Sequence, residues 1–204
     1  IDFDLFEEEA SQPENKMLIF CSPHNPVGRV WTKEELQRID EISRKHDLIV
    51  VCDEIWHDIV FEGQKHTAYP TAGNRAAENT IICTSVSKTF SLAAINTSNI
   101  IIADEDLRQA FVDQVNHGHY AANAFGYKAT ELAYNEAEAW LDAVNEVILS
   151  NHHFVSDYFK EHMPQVKAYV PEGTYVSWID FRELGLSAEE LERIVHQEGQ
   201  FMTN

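Results

Sequence analysis

The sequence predicts an α/β fold: a mainly parallel sheet with crossover helices, followed by the start of a smaller α+β domain. Three observations carry this expectation. Short apolar runs recur at 17–21, 48–52, 80–83 and 99–103. They are continuous rather than alternating, the pattern of strands covered on both faces by crossover elements. After about residue 104 the pattern turns helical, and it ends in two strand-like pieces and a further helix.

Taken in order, "MLIFC" (17–21) is a strand stopped by the turn-rich "SPHNPVG". Thr32 with Glu35 three residues on forms a capping box, and Trp31 and Leu36 are spaced as a hydrophobic staple. Leu36, Ile39 and Ile42 continue as a helical stripe. "LIVVC" is the second strand, ended by Asp53-Glu54, while "TIIC" and "NIIIA" are the third and fourth. A helix is expected over 104–115. Residues 125–162 read as almost wholly helical, with Trp140, Leu141, Val144, Val147, Ile148, Val155 and Phe159 as a core stripe. "VKAYV" and "TYVSWIDF", split by Pro171-Glu172-Gly173, read as strands, and Ser187 with Glu190 makes a second capping box. The expected division is a large domain over 1–124, a connecting helical region over 125–163 and the start of a small domain over 164–204.

Fifteen basic and 34 acidic residues give a net charge of −19, a soluble surface unsuited to nucleic acid or to an anionic membrane. No apolar run approaches the ~18 residues of a membrane span. Cys21, Cys52 and Cys83 each close a strand-like run, an odd count that reads as reduced buried thiols of a cytoplasmic protein. The chain opens without Met and stops without a tail-like composition, and is read as a piece of a longer protein.

Three polar residues stand just past consecutive strand ends: Asn25, Asp53 and Lys88. In an open α/β sheet the crevice outside those ends binds ligands, so an amide, a carboxylate and an amine are expected to converge there. That trio suits pyridoxal phosphate. A lysine can bind an aldehyde covalently and later act as a base. A carboxylate can keep a pyridine nitrogen protonated, and an amide can donate to a phenolate oxygen. Ser85 and Ser87 offer hydroxyls to a phosphate, or cap a helix that begins near Lys88. The same residues match S-x-x-K, but the S-D-N and K-T-G partners of that acyl-serine motif are missing. His117-Gly118-His119 and His152-His153 have no cluster around them that would make a metal site, and none is expected.

"SPHNPVGRVW", "VCDEIWHDIVF" and "SVSKTFSLAAINTSNIII" resemble the fold-type I pyridoxal phosphate enzymes of aminotransferase class I/II. Within them the chain most resembles the cystathionine β-lyase-like, or C-S lyase, branch; "NAFGYKATELAY", "AWLD" and "PEGTYVSWIDF" extend the likeness over nearly the whole length. The resemblance implies that Lys88 carries the cofactor, Asp53 pairs with its ring nitrogen, Asn25 contacts its 3′-oxygen, and Ser85 and Ser87 touch its phosphate. Trp56 stands where the group has a Tyr or His donor, and its indole N–H is a donor too. Asn96 replaces the phosphate-binding Arg of many aminotransferases, which fits the lyase branch. Arg182 and Arg193 do not match the setting of the arginine that grips a substrate carboxylate. The implied activity is β-elimination from an amino acid by a homodimer, with transamination, or a silent interaction role, as alternatives.

Overall fold

A computed structural model describes residues 1–73, 75–118 and 120–202. Among them four strands form one sheet in sequence order: β1 (Met17–Cys21), β2 (Ile49–Asp53), β3 (Thr80–Thr84) and β4 (Asn99–Ile102). The first three are parallel, and β4 pairs antiparallel to β3. The sheet is therefore mainly parallel, as expected.

Among the described residues only one crossover between parallel strands is an α-helix. Between β1 and β2 runs α2 (Lys33–Lys45), with both halves of its capping box formed: Thr32 Oγ1 accepts from Glu35 N at 3.2 Å, and Glu35 Oε2 accepts from Thr32 N at 2.9 Å. Its stripe is fully buried at Leu36, Ile39 and Ile42, each worth about 1.5–3 kcal/mol by transfer from water. The β2–β3 connection has a short 3₁₀ turn, Tyr69–Thr71, in place of the expected helix. Gly63, Pro70 and Gly73 interrupt any helical run there, and buried Tyr69, Ala72 and Ala76 cover the sheet instead.

Among the described residues the expected covering of the strands is complete on one face only. Leu18, Phe20, Val50, Cys52 and Ile82 turn toward α2 and the preceding helix α1 (Phe3–Ala10). The opposite face is more open, with Met17 50% and Ile19 76% exposed. Its next register row is Cys21, Asp53 and Cys83.

A one-turn helix α3 (Val86–Thr89) lies between β3 and β4, and beyond the sheet come α4 (Glu105–Gly118), α5 (Ala124–Glu136) and α6 (Glu138–His162). A two-stranded antiparallel pair, β5 (Lys167–Ala168) and β6 (Ile179–Asp180), and a short α7 (Ala188–Glu192) follow. The Ser187–Glu190 capping box opens α7. The expected core stripe of α6 is met in part: Leu141, Val144, Ile148, Val155 and Phe159 are half-buried, while Trp140 stays 45% and Val147 59% exposed. Polar residues share the inward face, which runs through Leu141, Asn145, Ile148, Leu149, His152 and Ser156. The polar members meet hydrogen-bond partners there: Asn145 donates to the Asp58 carbonyl at 3.1 Å, and Ser156 to the Ala168 carbonyl at 2.9 Å. An apolar periodicity count passes over such positions.

Residues 172–174 dock on the large sheet region. Phe61 N donates to Glu172 O, Thr174 N to Ile59 O, and the Glu172 and Gly173 amides both to Gly28 O.

Candidate functional site

The site begins where β2 ends. Asp53 is the last residue of that strand, and its register partners on either side are Cys21 and Cys83. Side chains directly in register share a face, so two thiols flank the carboxylate. Burial and the Asp53 charge hold both thiols above their ordinary range. Asp53 Oδ1 also accepts from Ile55 N at 3.2 Å, starting the turn that follows.

Glu54 fixes that turn. Its carboxylate is 3% exposed; Oε1 accepts from Tyr69 N at 2.7 Å and Cys52 Sγ at 3.4 Å, and Oε2 lies 3.2 Å from His66 Nε2. A buried carboxylate holds its place only with such partners. The turn then presents Trp56, buried with Ile59 and Phe61 against Ile148 and Leu149 of α6. Tyr175 packs edge-on against the Trp56 ring at 4.5 Å between centroids.

The third strand end carries α3. Ser85 is its N-cap, accepting from Ser87 N at 3.1 Å and donating to the Thr97 carbonyl at 2.6 Å. With that proton committed, the 2.7 Å contact between the Ser85 and Ser87 hydroxyls is a bond donated by Ser87. Lys88 follows, half-buried, with Nζ 5.4 Å from the centroid of the Trp56 ring. Thr89 donates to Asp58 Oδ2 at 2.9 Å.

The first strand end carries Asn25 on an exposed loop. His24 N donates to Arg29 O at 2.8 Å and Gly28 N to His24 O at 2.7 Å. Among the described residues the Asn25 amide bonds neither Asp53 nor Lys88. Thus Lys88 and Trp56 are in contact, Ser85 and Ser87 adjoin Lys88, Asp53 lies between two thiols, and Asn25 stands apart on its loop.

Sequence reasoning passed over four participants: Glu54, Asp58, Thr89 and Tyr175. All four sit inside quoted motifs, yet only contacts distant in sequence give them a role. Of the paired histidines, His152 is buried, its Nδ1 3.0 Å from Ser177 Oγ and its Nε2 3.2 Å from the Thr174 carbonyl. His117 Nδ1 contacts the Asp113 carbonyl, and His119 lies outside the described residues.

Fold and strand-end residues together are those of an α/β domain of the open-sheet class, in which ligands bind past the carboxyl ends of parallel strands. The chain belongs to the aminotransferase class I and II family, whose model matches residues 1–204. It is 35% identical over 201 residues to cystathionine β-lyase PatB of Bacillus subtilis, covering 98% of this chain and 52% of that protein. The crystal structure of cystalysin from Treponema denticola, which contains a pyridoxal 5′-phosphate cofactor, superposes with a TM-score of 0.97. That likeness has 40% identity and covers all of this chain and 52% of the other. The pyridoxal phosphate-bound C-S lyase from Staphylococcus hominis gives a TM-score of 0.87 at 31% identity, over 100% and 54% of the two chains. The family and branch expected from the motifs are those found, and the chain spans about half the length of these relatives. Among the described residues no helix is long and apolar enough to cross a membrane.

Proposed function

We propose that this chain forms the cofactor-bearing part of a pyridoxal phosphate-dependent C-S β-lyase. The reaction takes an amino acid with a sulfur leaving group and water to a thiol, pyruvate and ammonia. The observation that carries the reading is that Lys88, on α3 just past β3 and with Nζ over the Trp56 ring, and Asp53 stand at the ends of adjacent parallel strands.

The donor set fits the cofactor chemically: an amine for the aldehyde, a carboxylate for the ring nitrogen, an amide for the phenolate oxygen and a hydroxyl for the phosphate. Bound pyridoxal phosphate supplies an electron sink for negative charge developing at the substrate Cα. Lys88 Nζ holds the cofactor and is the base that takes the Cα proton. Asp53 holds the proton on the ring nitrogen. Of the two serines, Ser87 is the better phosphate donor: its hydroxyl can rotate from Ser85, losing one neutral bond worth about 1 kcal/mol. Ser85 is kept in place by Thr97 and by capping α3. Asn25 donates to the phenolate oxygen, and Trp56 lines the site below Lys88. The assembly is a cytoplasmic homodimer acting on a small-molecule amino-acid substrate.

A transaminase would share the roles of Lys88 and Asp53, and the family's own name keeps that reading in view. Asn96 favours the lyase: it sits in the left-handed region at φ 48°, a conformation Asn tolerates, where many aminotransferases carry an arginine. The deciding experiment gives the full-length protein cystathionine without a keto acid. Pyruvate release is expected, with borohydride fixing the cofactor on the Lys88 peptide. Ready transamination with no pyruvate would overturn the lyase assignment, and no fixed cofactor would overturn the whole reading.

A further inference from the structure

We infer that Asp58 is a positioning residue for Lys88, acting through Thr89. This rests on the reading of Lys88 as the cofactor lysine. Helix α3 is a single turn of four residues. A helix that short has no stability of its own, so its pose is set by whatever holds its two ends. The N-terminal end is held by Ser85, through the Thr97 carbonyl and the Ser87 amide. The C-terminal end is held by the 2.9 Å bond from Thr89 Oγ1 to Asp58 Oδ2. Thr89 is 1% exposed, so its hydroxyl has no water to fall back on.

Asp58 is itself held from three directions. His57 bridges it to the turn, with Nδ1 2.6 Å from the Glu54 carbonyl oxygen and Nε2 3.2 Å from Asp58 Oδ2. Asn145 of α6 donates to the Asp58 carbonyl at 3.1 Å. Tyr134 of α5 meets both the Asp58 carboxylate and the Thr89 hydroxyl, and burial, followed by the Asp58 charge, pushes its phenol up. The turn 55–58 therefore grips α3 twice. Trp56 lies under the Lys88 ammonium, and Asp58 takes the hydroxyl of the next residue. Losing the second contact frees the helix end to rotate, which moves Nζ relative to the Cα proton it must take. It leaves Asp53 and the N-cap Ser85 where they are. A misplacement of about 1 Å at a reacting group costs up to roughly 100-fold in rate.

The test uses the full-length protein and four variants. Thr89→Val and Asp58→Ala are each expected to lower kcat about 10- to 100-fold while KM and cofactor affinity change little. Thr89→Ser is expected to restore most of the loss. The double variant Thr89→Val/Asp58→Ala should fall no further than the worse single, because the two residues act through one bond. A role in stability alone would lower the folded fraction and leave kcat per cofactor-loaded site unchanged. Asp58→Asn, which conserves shape, carries the test if the valine or alanine variants do not fold. It keeps an acceptor for Thr89 but removes the charge, and a several-fold loss of kcat at unchanged KM is expected. Wild-type kcat in Asp58→Asn or Thr89→Val, additive losses in the double variant, or no rescue by serine overturns the inference. Capture of pyridoxal phosphate at Lys88 is measured separately by borohydride reduction. Capture in the unaltered protein with wild-type kcat in the variants overturns only the role of Asp58. No capture in the unaltered protein overturns the reading on which it rests.

Discussion

The Lys88 ammonium lies over the Trp56 indole, 5.4 Å from the ring centroid, and Trp56 is in turn wedged against Tyr175. A ring face attracts a cation by about 0.5–1 kcal/mol or more as the site loses water. The indole therefore helps fix where the amine sits. Trp56→Phe keeps a weaker π face and most of the packing. It is expected to lower the yield of borohydride-fixed pyridoxal phosphate on the Lys88 peptide about two- to fivefold. Mass spectrometry of that peptide checks this, and an unchanged yield would remove the indole from any part in placing the amine.

Asp53 stands in register between Cys21 and Cys83, and its charge helps hold both thiols up, after burial. Asp53→Asn keeps the shape and removes the charge. Both cysteines should then react faster with a thiol reagent at mildly alkaline pH, while Cys52, fully buried and beside Glu54, stays inert. The same variant is expected to retain pyridoxal phosphate but to lose turnover roughly 100- to 1000-fold, the scale of removing one electrostatic group. Thiol kinetics read the geometry independently of activity.

Much of this was legible in the residues. The four strands, both capping boxes and the positions of Asp53 and Lys88 at strand ends follow from short-range patterns: apolar runs, an N-cap with its partner three residues on, and a polar residue ending a run. The uncovered sheet face was not legible, because Ile19 reads as core in any local window and only the placement of α1 and α2 on the opposite side leaves it open. The buried face of α6 was legible only in its apolar members, for a related reason. Asn145, His152 and Ser156 count as polar, yet each is turned inward by a hydrogen-bond partner supplied from far along the chain. Asp58 and Thr89, 31 residues apart, were hidden by the same distance.

His152 makes the stability of the fold depend on pH. Burial lowers its pKa from the ordinary 6.5, outweighing the Thr174 carbonyl that raises it. Its folded form is thus neutral, with Nε2–H donating to that carbonyl and Nδ1 accepting from Ser177. The unfolded chain binds a proton on this group more readily than the folded one. Its contribution is fully present above 6.5 and is lost as pH falls from there toward the folded value. Urea unfolding at about pH 7.5 and about pH 5.5 should show a steeper loss for the wild type than for His152→Asn, which carries no titrating ring. Equal slopes would show that the ring titrates alike in both states.

Gly28 ties the Asn25 loop to the C-terminal segment. Its φ is +69°, and a Cβ added there would meet Pro171 Cβ at 2.3 Å and the Gly173 carbonyl oxygen at 2.6 Å. Neither neighbour can swing aside, since one is a proline ring atom and the other is backbone. The Gly28 carbonyl meanwhile accepts from both the Glu172 and Gly173 amides at 2.9 Å, so the loop cannot back away without breaking two hydrogen bonds. Gly28→Ala is therefore expected to destabilise the protein by more than about 1 kcal/mol, the scale of a left-handed position made worse by contact. Because Asn25 lies three residues earlier on the same loop, the variant should also weaken pyridoxal phosphate binding, whereas Gly63→Ala, with positive φ but open space around it, should not. Denaturation midpoints and cofactor titration of the two variants separate the effects. Loss of stability in Gly28→Ala with unchanged cofactor affinity would mean that the loop's packing does not position Asn25.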